Sequence, residues 1–463
     1  MLGAQLAALH AAGTPGAAAA LDLVAGLDAA LGEGLARLGG EHATALTDLA
    51  AALAGSPLGP AVAEAVEKIA AGSVTDEHLA ALAGARTALF GALHDADLAA
   101  LDAALGRTRA EWPEPAGGTP APAAGPLAGC RSWLRELAIA GWRGVGHDLV
   151  AAVDQTVEAL LADPAQRRLA VLLDGLAAEL RAASPVAAMA RLPLRRWADL
   201  WARALLLARA TESSAAGAEP VSGRLLILGA DVHEHGTVVQ VQAHAVLEPA
   251  AGGPPRLVRA AVSAGKVDTI TGPAVWRLLH RHPALLAALA ERRALEISEL
   301  PLLPGGDLVW DDARATVGEP TDPFATARVS LPLAVAPPTP PLERHPVRIA
   351  EPVLVEGYTS DGGTLELDGT TLPLDVRRLP ACGPLTPRLV AASSACLGLL
   401  RRDGDRWLLQ PLALQATVRR APVEAHSGAW ALGVTDPKIA KAETRAGDPV
   451  AVLRERAGRL LRK

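Results

Sequence analysis

Cysteine, aromatic residues and lysine are all scarce in this chain of 463 residues. The three cysteines, Cys130, Cys382 and Cys396, are odd in number, widely spaced and form no CxxC pair. That excludes a disulfide framework and zinc-ribbon spacing, and it points to a reducing compartment. Cys382 and Cys396 read as small apolar core residues, because a catalytic thiol needs an activating base that sequence alone does not place. Aromatics supply 3% of the chain against 50% for all hydrophobic residues, much of it alanine, so helix faces must pack closely through small side chains. With lysine scarce, the basic residues are mostly arginine. Ala, Gly, Pro and Arg share GC-rich codons, so this bias reflects genome composition rather than a ligand. A formal charge of -6 and a pI near 6.1 give no global attraction to a phosphate backbone.

Other signals are also missing. Met1-Leu2-Gly3-Ala4-Gln5 lacks a basic n-region, and Asp22 and Asp28 interrupt the apolar stretch behind it, so no secretory signal is expected. The most apolar helical segment, Trp197–Leu207, contains Asp199 and Arg203 and falls short of a membrane span. A cytoplasmic location is the expectation. Gly265-Lys266 ends like a phosphate-binding loop, but Ala260 and Val267 stand where the first glycine and the Mg²⁺-binding hydroxyl would be. Gly144-Val145-Gly146-His147 lacks a third glycine, and Ser427 lacks the first glycine of a nucleophile elbow. Asp311-Asp312 and Asp403/Asp405 read as a loop and a turn flank rather than an opposed acid pair.

What is present is periodicity, and it changes along the chain. The expected fold is multidomain α+β, with an Ala-rich helical N-terminal half and a β-rich C-terminal half carrying a small barrel or sandwich. Residues 1–110 read as an Ala-rich helical bundle in which Thr75 can cap a helix. Residues 111–129 form a Pro/Gly-rich linker, and 130–211 a second helical block. There Leu169, Leu172, Leu173, Leu176 and Leu180 make one apolar stripe, and Leu194, Trp197, Leu200, Trp201, Leu205 and Ala208 make another. The pattern turns to strands near residues 212–224. Residues 222–335 read as an α+β domain, with a helix over 273–293 kinked at Pro283 and a strand over 327–335. A Pro-rich connector at 336–346 leads to a small β-rich domain at 347–435, where three Asp-Gly pairs at 361, 368 and 403 mark hairpins. A basic helical tail covers 437–463 and can dock on its own protein or on a partner.

The first strand pair carries the best chemical candidate. With a two-residue turn at His235-Gly236, Val232 pairs with Val239 and Ala230 with Val241, and Leu226, Leu228, Ala230 and Val232 share one apolar face. The other face then carries Asp231, His233, Gln240, Gln242 and His244. Asp231, His233, His235 and His244 are candidate metal ligands, since imidazole and carboxylate suit zinc or iron. The competing reading is the solvated face of a half-buried sheet plus a polar turn. A second candidate is the set of arginine doublets in the C-terminal β region. Arg377, Arg378, Arg401 and Arg402, with Trp407 beside them, could grip a single strand of nucleic acid on a small barrel, and Arg419-Arg420 repeats the pattern. The competing reading takes arginine as the default cation of this composition and Trp407 as core.

The general layout and the Arg195-Arg196-Trp197–Trp201 helix resemble Ala-rich proteins encoded near MoxR-type AAA+ ATPases and von Willebrand A proteins in GC-rich bacteria. The resemblance covers no diagnostic motif, and it implies an AAA+ ATPase complex as a partner. The sequence reading favours a non-catalytic scaffold or adaptor with protein partners and no cofactor. The alternatives are a metal-dependent enzyme or ligand-binding protein using the Asp231–His244 sheet face, and single-stranded nucleic-acid binding by the C-terminal β domain.

Overall fold

The computed structural model describes residues 1–113, 125–163, 165–209, 217–234 and 237–460. Helices fill the N-terminal half: α1 (Gly3–Ala11), α2 (Ala17–Glu33), α3 (Gly40–Ala52), α4 (Gly59–Ala70), α5 (Asp76–Leu105), α6 (Pro126–Ala140), α7 (His147–Ala151), α8 (Asp154–Ala162), α9 (Arg167–Ala183) and α10 (Leu194–Leu207). None of the described helices is long and apolar enough to cross a membrane. Thr75 caps α5 as its sequence suggests, accepting the His78 amide at 3.3 Å. Both predicted stripes face inward, α9 through Leu169, Leu173, Leu176 and Leu180, and α10 through Trp197, Trp201 and Leu205.

The Pro/Gly-rich linker falls mostly on residues 114–124, outside the described residues. It does not separate two cores, because one continuous cluster runs from Leu27 and Leu31 through Trp133 and Leu173 to Trp201 and Leu205. Helix α5 leaves that cluster. At 30 residues it spans about 45 Å, so Leu79 and Leu82 sit in the helical core while Leu98 and Leu101 reach a different one.

The middle unit contains β1 (Glu219–Glu234), β2 (Val238–Pro249), β3 (Arg256–Gly265), α11 (Pro283–Glu291), β4 (Arg293–Leu302), β5 (Asp307–Leu308), β6 (Ala315–Pro320) and α12 (Pro323–Ser330). Its strands run β1-β2-β3-β5-β4-β6, and β4 also pairs with β1, so the sheet curls round its own core. Four expectations need correction here. The hairpin register lies two residues from the proposed one, with Glu234 opposite Val239 and Val232 opposite Val241, because the connection is longer than two residues. The shift is even, so the faces stay matched. A bulge then places Leu228 as an extra residue between Ile227 and Gly229. Leu226 and Leu228 therefore face away from Ala230, into a second core. Pro283 starts α11 instead of kinking a longer helix, and a 3₁₀ turn at Gly272–Leu279 precedes it. Finally, residues 323–330 form α12 where a strand was expected further along. Asp322 caps it by accepting the Phe324 and Ala325 amides at 2.9 and 3.2 Å, and Phe324, Ala327 and Leu331 are buried at helical spacing.

The expected connector at 336–346 is a docked strap. Glu343 pairs with Arg168, Arg203 and Arg348, and His345 stacks on Phe90 of α5 with ring centroids 4.0 Å apart. Beyond it lie β7 (Ala350–Glu356), β8 (Thr359–Ser360), β9 (Thr364–Leu367), β10 (Thr370–Pro373), α13 (Pro387–Ala391), β11 (Ser393–Asp403), β12 (Arg406–Val418) and β13 (Ala421–His426). They form two antiparallel sheets, β13-β12-β11-β7 and β10-β9-β8, that share a core with Leu6, Leu9, Leu98 and Leu101. The arrangement is the sandwich rather than the barrel alternative. All three Asp-Gly pairs lie at hairpins, and Gly362, Gly369 and Gly404 each adopt the positive φ that such turns need. The tail forms α14 (Pro437–Ala446) and α15 (Pro449–Leu460), with Val450 inserted into the middle unit's core.

The outer faces of the two β units pack on each other through Leu226, Leu228 and Val246 on one side and Leu354, Leu397 and Ala413 on the other, with α12 wedged alongside. β12 carries its own bulge, with Leu412 as the extra residue opposite the Leu397/Gly398 step. The two bulges meet there, and a Cβ on Gly229 would lie 2.7 Å from the Leu412 Cβ. Neither atom can give way without moving a strand. Gly229→Ala should therefore destabilise the protein by roughly 1–3 kcal/mol through overpacking. Urea unfolding reads this directly, and an unchanged midpoint would contradict the close approach.

Candidate functional site

Asp231 follows the β1 bulge and is thereby turned out of its own unit's core towards β11 and β12. Its carboxylate is 2% exposed. Oδ2 accepts from Arg401 Nη2 at 2.6 Å and lies 2.8 Å from His233 Nε2, while Oδ1 accepts from Gln410 Nε2 at 2.7 Å. Arg401 Nε also donates to Gln410 Oε1. Burial alone would raise the Asp231 carboxyl, but the His233 hydrogen bond and the charge of Arg401 more than offset it and hold the group well below the usual carboxylate range.

The polar face proposed from the register exists, since Asp231 lies opposite Gln242, His233 opposite Gln240 and Gly229 opposite His244. It is not uniformly solvated. His233 is partly exposed at the open end, whereas His244 is 2% exposed beneath the second β unit. Burial, reinforced by the positive charge of Arg259 opposite it, pushes the His244 imidazole down to about 3. Its Nε2 has no hydrogen-bond partner among the described residues. Of the four candidate metal ligands, Asp231 and His233 are brought into contact, His244 lies deeper on the same face, and His235 is outside the described residues. Among the described residues no three His, Cys, Asp or Glu side chains converge to hold a metal ion. Both Asp231 oxygens are engaged by protein groups, one of them the cation Arg401.

The arginine doublets divide in two. Arg401 and Arg402 alternate on β11, and neither forms an open basic surface. Arg401 points to Asp231, while Arg402 points the other way, donating to Asp97 of α5 at 3.1 Å and lying 5.3 Å above the Trp407 ring. Trp407 is 5% exposed and belongs to the C-terminal core, so it offers no stacking face. Arg377 and Arg378 stand apart at the surface, tethered to Asp375 at 3.8 and 3.2 Å. Arg419 and Arg420 form the β12–β13 turn, both at positive φ.

The two sequence-derived candidates adjoin each other. Asp231, Val232, His233 and Glu234 line one wall of a cleft of roughly 230 Å³, and Arg377 to Ala381 line the other. Lys266, from the rejected phosphate-loop motif, is buried and donates to Glu234 at 3.1 Å. Cys130 and Cys382 are buried, which pushes both thiols up to about 12 and suits core residues. Ser427 is likewise buried, its hydroxyl donating to the Ala230 carbonyl. Asp312 caps α11 through the Ala284 amide at 2.9 Å. Gln410 and Asp375 escaped the sequence reading. A signal existed for Gln410, a lone amide within the apolar strand Trp407-Leu408-Leu409-Gln410-Pro411-Leu412.

Two outcomes follow. Arg401→Met strands the Asp231 carboxylate in the interior and should cost about 3–5 kcal/mol in urea unfolding. Adding Asp231→Asn should recover part of that loss, and a double variant no better than the single one would disprove the pairing. His244 is held below its unfolded value of about 6.5, so the unfolded chain binds the extra proton. Its contribution is full above that pH and is lost as the pH falls towards about 3. Urea midpoints measured at neutral and mildly acidic pH should fall less steeply in His244→Gln than in the parent, and identical slopes would count against a neutral buried imidazole. Comparison of the chain with protein-family models, with curated proteins and with solved structures finds no match in any of the three.

Proposed function

We propose that the chain is a non-catalytic scaffold or adaptor subunit of a bacterial cytoplasmic protein complex, with an AAA+ ATPase assembly as the candidate partner. One observation carries this reading: buried charged contacts join all three units. Arg401 ties the two β units through Asp231, and Arg402 ties the C-terminal sandwich to α5 through Asp97. Glu351 of β7 binds Arg107 and Arg109 just beyond α5, at 2.9 and 3.1 Å. Surfaces on different units are thereby kept at fixed separations, which a scaffold needs. The edge of the β–β junction also leaves Val329 and Leu333 more than 60% exposed, beside the buried face of α12. Two exposed apolar side chains four residues apart in sequence offer a partner a small apolar contact at this junction.

The competing readings fit less well. A metal centre at Asp231 would have to displace Arg401 and Gln410 from a buried carboxylate. Nucleic-acid binding through Arg401, Arg402 and Trp407 would require three inward-facing side chains to turn outwards. Ligand binding at the His233 end of the sheet face is compatible with scaffolding.

Protein purified gently from its native host should elute in an assembly well above the mass of a single chain. Val329→Asp with Leu333→Asp should shift it towards the free chain without lowering its thermal midpoint. Recovery of the parent protein only as an unpartnered monomer would defeat the scaffold reading. Mass spectrometry of an assembly without an AAA+ ATPase would defeat the partner assignment alone.

A further inference from the structure

The cleft at the joint between the β units has a charge balance that scaffolding does not use. On the β1 wall, Asp231 is matched by Arg401 and Glu234 by the buried Lys266. On the opposite wall a single carboxylate, Asp375, lies beneath two guanidinium groups, Arg377 and Arg378. Asp375 is 6% exposed on its side chain, whereas Arg377 is 79% exposed at the rim. Among the described residues the second guanidinium charge is therefore uncompensated, and two forked donors line an opening formed mostly by polar residues.

His233 supplies a different group. Its Nε2 is 2.8 Å from the Asp231 carboxylate, which fixes the proton on that nitrogen in the neutral ring. Nδ1 is then an acceptor, so the β1 side of the cleft can take a hydroxyl while the arginine side takes an oxyanion. Two guanidinium groups suit a dianion better than a single carboxylate, and phosphate offers the oxygens for forked contacts. At roughly 230 Å³ the space is below the range of about 300–1,000 Å³ for drug-sized ligands. The part of the occupant held inside the cleft is therefore compact.

We propose that this cleft binds a small hydroxylated phosphate monoester. Arg377 and Arg378 clasp the phosphate, His233 Nδ1 accepts a hydrogen bond from a hydroxyl, and Asp231 sets the tautomer and orientation of the imidazole. Since its walls come from both β units, an occupied cleft also braces their joint, and the ligand raises the stability of the folded chain by mass action.

Calorimetric titration of the full-length chain with glycerol phosphate, methyl phosphate, inorganic phosphate and glycerol tests the assignment. Glycerol phosphate should bind most tightly, methyl phosphate and inorganic phosphate more weakly, and glycerol not measurably. Arg377→Ala with Arg378→Ala, combined with Asp375→Asn so that no buried carboxylate is left without its cations, should weaken glycerol phosphate at least tenfold, with thermal unfolding of the unliganded protein confirming that the variant is folded. His233→Phe should retain phosphate binding and lose the preference for glycerol phosphate over methyl phosphate. The proposal is overturned if glycerol phosphate gives no heat at millimolar concentration, if the triple variant binds it as well as the parent, or if His233→Phe keeps the preference. Tighter binding of a phosphoserine peptide than of glycerol phosphate would overturn the assignment to a free small molecule.

Discussion

The Asp231 carboxylate, sealed between two β-sheets, is the constraint on which the joint is built. Taking an ionised carboxylate out of water costs several kcal/mol even after relaxation, so the surrounding groups must meet it closely. Arg401, Gln410 and His233 do so from three directions, and only the second β unit can supply the first two. If the sheets slid along one another, the carboxylate would lose both of these partners. A buried pair of this kind adds little net stability over a well-packed apolar contact, yet the cost of leaving it mismatched is large. Its effect is to exclude other dockings of the same two surfaces.

The backbone irregularities serve the same end. Without the extra Leu228, Asp231 would point into the middle unit's core, where Val241, Val258 and Trp276 hold no polar partner for it. With the bulge, one strand uses its first half to fill two apolar layers and its second half to send a charge across the joint. The facing bulge at Leu412 does the equivalent on β12, keeping Leu409 and Leu414 in the sandwich core while Gln410 and Ala413 look outwards. β11 then couples the joint to the helices. Arg401 and Arg402 are neighbours, so the period-two alternation of a strand sends one guanidinium to β1 and the other to α5. Two residues join three units.

Much of the fold was legible because it rests on local rules. The Thr75 cap, the α9 and α10 stripes and the Asp-Gly hairpins each depend on a few neighbouring residues, and each appears where periodicity and turn chemistry place it. α12 was missed because Ala327–Val335 alternates like a strand, while the signal that decides it, Asp322-Pro323, lies upstream. The β1 bulge has no local mark apart from Gly229, whose small size matters only because Leu412 lies against it. The candidate site was half legible. Asp231 with His233 and Arg377 with Arg378 were identified as two separate polar groups, but their common cleft arises from the docking of two units more than a hundred residues apart in sequence. Arg401 and Arg402 looked like surface charge because a doublet carries no sign of which member is buried.

The same docking explains why the polar face of β1 changes character along its length. At His244 the second β unit covers the sheet, and an imidazole there must stay neutral. At Asp231 a charge survives because it is matched. One strand position pair further, at His233, the cover ends, and a side chain of the same type is oriented by Asp231 while remaining accessible. That sequence of environments, from buried and neutral through buried and paired to exposed and positioned, is what separates a structural histidine from one able to meet a ligand. Position relative to the edge of the docked unit decides which it is, and the residue type does not.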